Sequence, residues 1–242
     1  MAQSATFASA APSMVQPTVQ ERVLLFIRQL LVTGELPPGT KVRVEDIADH
    51  CRVSPVPVRE ALKQLQNEGV VVNEPRRGYW VAKLGYDDFL ELQHIATLLE
   101  TEAIRLAVPH LTDDDAERMT QFRLEMEEAL DAGDLWRANI AHREMHFVPF
   151  RGPGTSRLIQ QIARLWEHTD HYRVLLLHKP GEVQRVSLAQ HVDLIEACAR
   201  RDTQSVVVLN NDHRDFATST IVPGLLDEAA GGRPAATSTI RT

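Results

Sequence analysis

Hydrophobic positions near the start of the chain follow two different periods in succession. From Thr18 to Thr33, Val19, Val23, Phe26, Ile27, Leu30 and Leu31 recur every three or four residues, the spacing of one helix face, and Gly34 follows as a C-cap. This predicts a core-facing support helix. Leu36-Pro37-Pro38-Gly39-Thr40 reads as a turn, and Val44, Ile47 and Ala48 give a short helix from Val44 to Cys51 its apolar side. A second short helix follows, with Ser54 placed to cap it and Gly69 placed to end it. Its first turn tolerates Pro55 and Pro57, whose missing amides have no intrahelical acceptor there. Val58, Leu62 and Leu65 can face a core, while Arg59, Lys63 and Gln66 fall on other faces. Val70 to Val72 and Tyr79 to Val81 then form a pair of strands around Glu74-Pro75-Arg76-Arg77-Gly78.

After residue 82 the two-residue period vanishes, and every long segment reads as helix. The expected spans are Tyr86 to Val108, Asp113 to Ala132, Asp134 to Phe147, Ser156 to about Leu177, Val183 to Arg200 and Gln204 to about Ile221. Pro109, Thr112, Gly133, Pro149 and Pro180-Gly181 punctuate them. The Gly/Ala/Thr-rich tail from Glu228 is expected to be mobile. The predicted fold is therefore mainly α, with a small mixed domain over residues 15–82 and an all-helical one over 86–222.

Composition adds that 242 residues, 43% hydrophobic and 24% charged, suffice for two packed domains. Met1 to Met14 has neither Lys nor Arg and no long apolar run, so neither a signal peptide nor a membrane span is expected, and a cytoplasmic address follows. Cys51 and Cys198 lie far apart and form neither a disulfide framework nor a metal clasp; both are read as small buried hydrophobes. The net charge of -7 is unevenly placed. Residues 1–82 hold nine Lys/Arg against eight Asp/Glu, which leaves the acidic excess wholly in the remainder.

Two short helices followed by a hairpin is the build of a winged helix-turn-helix, with the helix after Ser54 as its recognition helix. A near-neutral head can still bind a double-stranded DNA operator if its basic groups share a surface, because phosphate affinity follows local basic density. The candidate contacts are Arg52, Ser54, Val56, Arg59, Lys63, Arg76, Arg77 and Gly78. The run PPGTKVRVEDIADHCRVSPVPVREALKQLQNEGVVVNEPRRGYWV resembles the N-terminal domain of GntR-family transcriptional regulators. The resemblance implies DNA contacts around Val53-Ser54, Pro57-Val58-Arg59-Glu60-Ala61-Leu62 and Arg77-Gly78. It also marks a departure, since the family usually has Arg and Thr, both DNA-contacting donors, where this chain has Pro55 and Val56.

In the helical part the histidines draw attention. His142 and His146 are four apart, so both imidazoles leave one helix face, the spacing by which one helix gives two ligands to a single ion. The same spacing is found in solvated or hydrogen-bonded surface imidazoles. His168, His171 and His178 lie near Trp166 and Tyr172 and are read as packing or exposed. Trp136 and Phe147 are read as core, and Glu125, Glu127, Glu128 and Asp131 as a solvated acidic face.

LLETEAIRLA, MHFVPFRGPGTSRL and QHVDLIEACARRD resemble the effector-binding FCD domain of the FadR branch of the same family. The resemblance implies a homodimer and a small-molecule effector, probed through a divalent metal such as zinc or nickel. Metal-binding members use an Asp, a His four residues later and one His on each of the last two helices. Those positions are His142, His146, His191 and His213 here, with His142 standing at the Asp position. Imidazole is a good ligand for such ions, so coordination survives with one negative charge fewer. Relatives also carry an Arg four residues before the Leu-Glu glutamate; here that glutamate is Glu100 and the position is Ala96. The directional fork for a carboxylate is thus missing, and Arg105, Arg143 and Arg173 are candidate replacements. A metal-dependent hydrolase is the alternative reading of the histidines. It gives the head no use and lacks a His-Glu-x-x-His motif.

Overall fold

The computed structural model describes residues 17–83, 85–177 and 181–230, with backbone alone for 171–177 and 221–230. Met1 to Met14 and the tail beyond Ala230 lie outside the described residues. So do His178 and the side chains of His171, Tyr172 and Arg173.

Helix α1 (Val19–Val32) starts at a capping box, in which the Thr18 hydroxyl accepts from the Glu21 amide and the Glu21 carboxylate accepts from the Thr18 amide. Its stripe buries Val23, Leu24, Ile27, Leu30, Leu31 and Val32, while Val19 stays exposed at the first turn. Helices α2 (Val44–Cys51) and α3 (Pro55–Asn67) follow. Val58, Ala61, Leu62 and Leu65 of α3 are completely buried against α1 and α2.

Ser54 departs from expectation. It occupies the N-cap position, yet its side chain makes no capping bond. The cap hydroxyl ordinarily accepts from the second or third helical amide, and the third residue is Pro57, which has none. Strands β1 (Lys41–Val42), β2 (Val71–Glu74) and β3 (Gly78–Val81) form an antiparallel sheet in the order β1-β3-β2. β2 and β3 are the wing. β1 is too short to show a period in sequence and is recruited by pairing Lys41 with Trp80 and Val42 with Tyr79.

The remaining helices are α4 (Tyr86–Ala107), α5 (Asp113–Asp131), α6 (Leu135–Phe147), α7 (Ser156–Leu177), α8 (Glu182–Ala199) and α9 (Thr203–Ala230). Pro109 and Pro149 each sit in a single tighter turn that continues the preceding helix. α9 passes Pro223 instead of stopping near Ile221; one missing amide removes a single bond from a 28-residue helix. The helical core gathers Ile104, Met119, Met145, Phe150, Ile162, Leu194 and Val206. Gly152 is required where its loop meets α4, because a Cβ there would lie 2.6 Å from the Ala107 Cα.

α1 also packs on α6 and α7, joining head to helical bundle. Arg28 of α1 stands between Glu68, at 2.7 Å, and Glu167 of α7, at 3.5 Å. Arg143 of α6 reaches Asp170 at 3.1 Å and Glu167 at 3.9 Å. Arg28, Arg143, Glu167 and Asp170 line a cleft of about 300 Å³ together with Leu25, Leu31, Val70 and Ile140. Gly69, at φ +75, closes the junction, and a Cβ there would meet the His168 ring at 2.6 Å.

Candidate metal centre and nucleic-acid interface

The four histidines singled out in the sequence converge inside the helical bundle. His142 and His146 come from one face of α6, His191 from α8 and His213 from α9, and all four are buried. One ring nitrogen from each lies within 4.8 Å of the others. The Nε2 atom of His191 is 3.2 Å from Nε2 of both His146 and His213. For ligand bonds of about 2.0 to 2.1 Å, the edge of a tetrahedral ligand set is about 3.3 Å, so these three atoms are already spaced as neighbouring donors.

The tautomers favour the same arrangement. His213 Nδ1 lies 2.8 Å from Gln190 Oε1, which can only accept, so the ring proton belongs on Nδ1 and the Nε2 lone pair faces the cluster. A single Nε2–H on His191 can align well with only one of its two neighbours. Protons cannot make both 3.2 Å contacts good hydrogen bonds at once, whereas a cation between the three Nε2 atoms would be approached by each of them. Burial holds the His191 imidazole well below its usual range, with His213, His142 and Arg123 adding to the effect in that order. The ring is neutral at pH 7 and able to ligate.

Beneath the cluster lies a network that sequence reasoning did not identify. Trp166 of α7 packs against His142 and His146, with ring centroids 6.0 and 5.5 Å away. Its Nε1–H donates to Glu100 Oε1 at 2.8 Å. Asn210 donates to Glu100 Oε2 at 3.0 Å, and Arg214 grips both carboxylate oxygens. Glu100 is fully buried. The available signal was the spacing of Asn210 and Arg214, four apart on the helix that carries His213, but periodicity gave no partner for them. Two proposed replacement arginines are engaged elsewhere: Arg105 is exposed, 3.9 Å from Glu102, and Arg143 serves the domain junction. Phe147 is core, whereas Trp136 lines the junction cleft. Glu127 and Glu128 pair with Arg123 and Arg137.

In the head, Val56, Arg59 and Lys63 follow i, i+3, i+7 along the face of α3 opposite its buried residues, and all three are exposed. Arg59 is 3.9 Å from Glu45 and Lys63 is 2.8 Å from Glu60. Exposed pairs of this kind contribute little, so phosphates can displace them. Arg52 is exposed at the C-cap of α2 with φ 54, and Ser54 is exposed beside it. At the wing tip Arg76 is exposed at φ 65. Arg77 lies over the Trp80 ring at 5.0 Å, 2.5 Å from Glu74, and Gly78 opens β3 at φ 88.

The family model described as "Bacterial regulatory proteins, gntR family" matches residues 19–81, and the FCD domain model matches residues 91–216. The chain belongs to the GntR family. As a GntR regulator with an FCD domain, it is similar to HTH-type transcriptional regulator McbR of Escherichia coli, 29% identical over 171 residues, or 62% of this chain and 77% of McbR. It is 25% identical to the Nta operon transcriptional regulator of Aminobacter aminovorans over 191 residues, covering 77% and 88% of the two chains. The solved structure of Escherichia coli McbR/YncC shares the GntR fold at a TM-score of 0.76 and 20% identity, covering 86% of this chain and 99% of that one. This GntR chain is thus a transcriptional regulator, and among its described residues no helix is long and apolar enough to cross a membrane.

Proposed function

We propose that this regulator is a homodimer acting in the cytoplasm. Its residues 15–82 bind an operator, and its residues 86–222 sense a carboxylate-bearing metabolite through a divalent ion held by His142, His146, His191 and His213. The observation that carries this reading is the convergence of four buried imidazoles in the FCD domain. Bound there, zinc or nickel would supply a positive centre for an effector oxygen. The four neutral rings bring no counter-charge to a divalent ion, which favours an anion in its shell. Only unprotonated rings ligate, so affinity for the ion falls as pH drops. Because burial holds the His191 imidazole well below its usual range, that ring is lost as a ligand only below the ordinary histidine range. α6 carries His142 and Arg143 side by side, which links the site to the junction with the head. The exposed Leu90, Ile95, Leu98 and Leu106 of α4 support self-association.

Native mass spectrometry with elemental analysis tests this reading. The expected result is a two-subunit species with one divalent ion per subunit; a metal-free monomer would contradict it.

Two expectations concern DNA. Arg59→Ala should weaken specific binding by roughly 1 to 3 kcal/mol if Arg59 reads a base. A folded variant with unchanged operator affinity removes Arg59 from the interface. Arg76 and Arg77 should touch phosphate or the minor groove, contacts that set affinity more than sequence choice. Neutralising both should therefore flatten the salt dependence of binding by about one unit of slope per lost phosphate contact. An unaltered slope means the wing is idle.

A further inference from the structure

The first turn of α3 offers DNA an apolar surface. Val56 is 65% exposed, whereas Val58, Ala61, Leu62 and Leu65 of the same helix are all completely buried. Pro55 beside it is exposed and Pro57 half-buried, and neither has an amide to donate. Packing therefore gives Val56 no role in the head core. Its branched side chain is stiff at χ1 and holds its two methyl groups in a fixed direction. Arg59 and Lys63 continue the same face three and seven residues later.

We propose that Val56 determines specificity by packing on the 5-methyl group of a thymine in the major groove. The proposal rests on the reading of α3 as the helix that enters the groove, where the N-terminal residues of such a helix meet base edges. The thymine methyl is the apolar feature in the groove's pattern of donors and acceptors, and aliphatic side chains recognise it by contact. An isopropyl group set against phosphate would instead displace water from a charge and return no hydrogen bond.

The test uses the full-length protein and a duplex obtained by in vitro selection from random DNA. Each thymine of a half-site is replaced in turn by deoxyuracil, which removes only the methyl group, and binding is followed by anisotropy at fixed salt. At one thymine the replacement, made in a single half-site, should weaken binding about three- to fivefold, the value of one buried methyl. In Val56→Ala, whose fold is checked by circular dichroism, that same replacement should cost clearly less, because the shorter side chain withdraws from the base. Tolerance of deoxyuracil at every position by the unaltered protein overturns the proposal. So does a penalty that persists undiminished in Val56→Ala. Either outcome leaves DNA binding by α3 intact, whereas failure to enrich any sequence overturns both.

Discussion

His191→Ala should lower affinity for zinc or nickel at or beyond the upper end of the roughly 10- to 100-fold range seen when only the support of a ligand is removed. His191 is the shared vertex of the cluster, 3.2 Å from both His146 and His213, so its loss deletes the donor that stands closest to both. Because the rings are buried and meet only in the folded bundle, an ion held there would bind only the native state and should stabilise it. At about 100 times the dissociation constant the gain is roughly 2.7 kcal/mol, or about 5 to 10 °C in Tm for a chain of this size. The unaltered protein should lose that increment on chelation, and His191→Ala should never show it. Equal melting with metal and with chelator would mean that the cluster is a set of packed imidazoles. His142→Asp is a useful companion: it should keep the ion and bind anions more weakly, since it returns a negative charge to the site.

Glu100→Ala should cost about 3 to 5 kcal/mol, the usual result of breaking a buried pair from one side. Three donors converge on this carboxylate: Trp166 at 2.8 Å, Asn210 at 3.0 Å, and Arg214 on both oxygens. Alanine would leave the Arg214 charge buried and the other two donors unmet. Thermal denaturation should show a fall of about 6 to 20 °C. Glu100→Gln, which keeps the shape and one acceptor, should lose less. Removing both charges together, as in Glu100→Leu with Arg214→Met, should recover much of the loss, because the penalty lies in the unpaired charge. A drop below about 1 kcal/mol in Glu100→Ala would show that water reaches Arg214. The same variant should loosen metal binding, since Trp166 is the wedge under His142 and His146.

Much of this architecture was legible because punctuation and period agree. Thr18 and Thr112 start helices at capping boxes, Gly34 and Gly133 follow helix ends, and the buried face of α3 is the one its spacing predicts. The i, i+4 spacing of His142 and His146 placed them on one face, but only the resemblance to FCD domains joined them to His191 and His213. What stayed hidden depends on contacts distant in sequence. Glu100 meets Asn210 and Arg214 across more than a hundred residues, and β1 exists only because β3 pairs with it. Ser54 has the residue type and the place of a side-chain cap, yet Pro57 removes one of the two amides such a cap accepts from, and no capping bond forms.

If the four-histidine site senses the effector as proposed, its state should set DNA affinity through the contact of α6 with the head. The direct measurement is an anisotropy titration of a selected operator duplex by full-length protein at fixed ionic strength, once with stoichiometric zinc or nickel and once with chelator, with His191→Ala alongside. Coupling between two sites of one protein typically amounts to about 1 to 3 kcal/mol, or 5- to 150-fold. The unaltered protein should show a shift in that range between its two states, and His191→Ala should show none. Superimposable isotherms from a protein that elemental analysis shows to be metal-loaded would contradict the account.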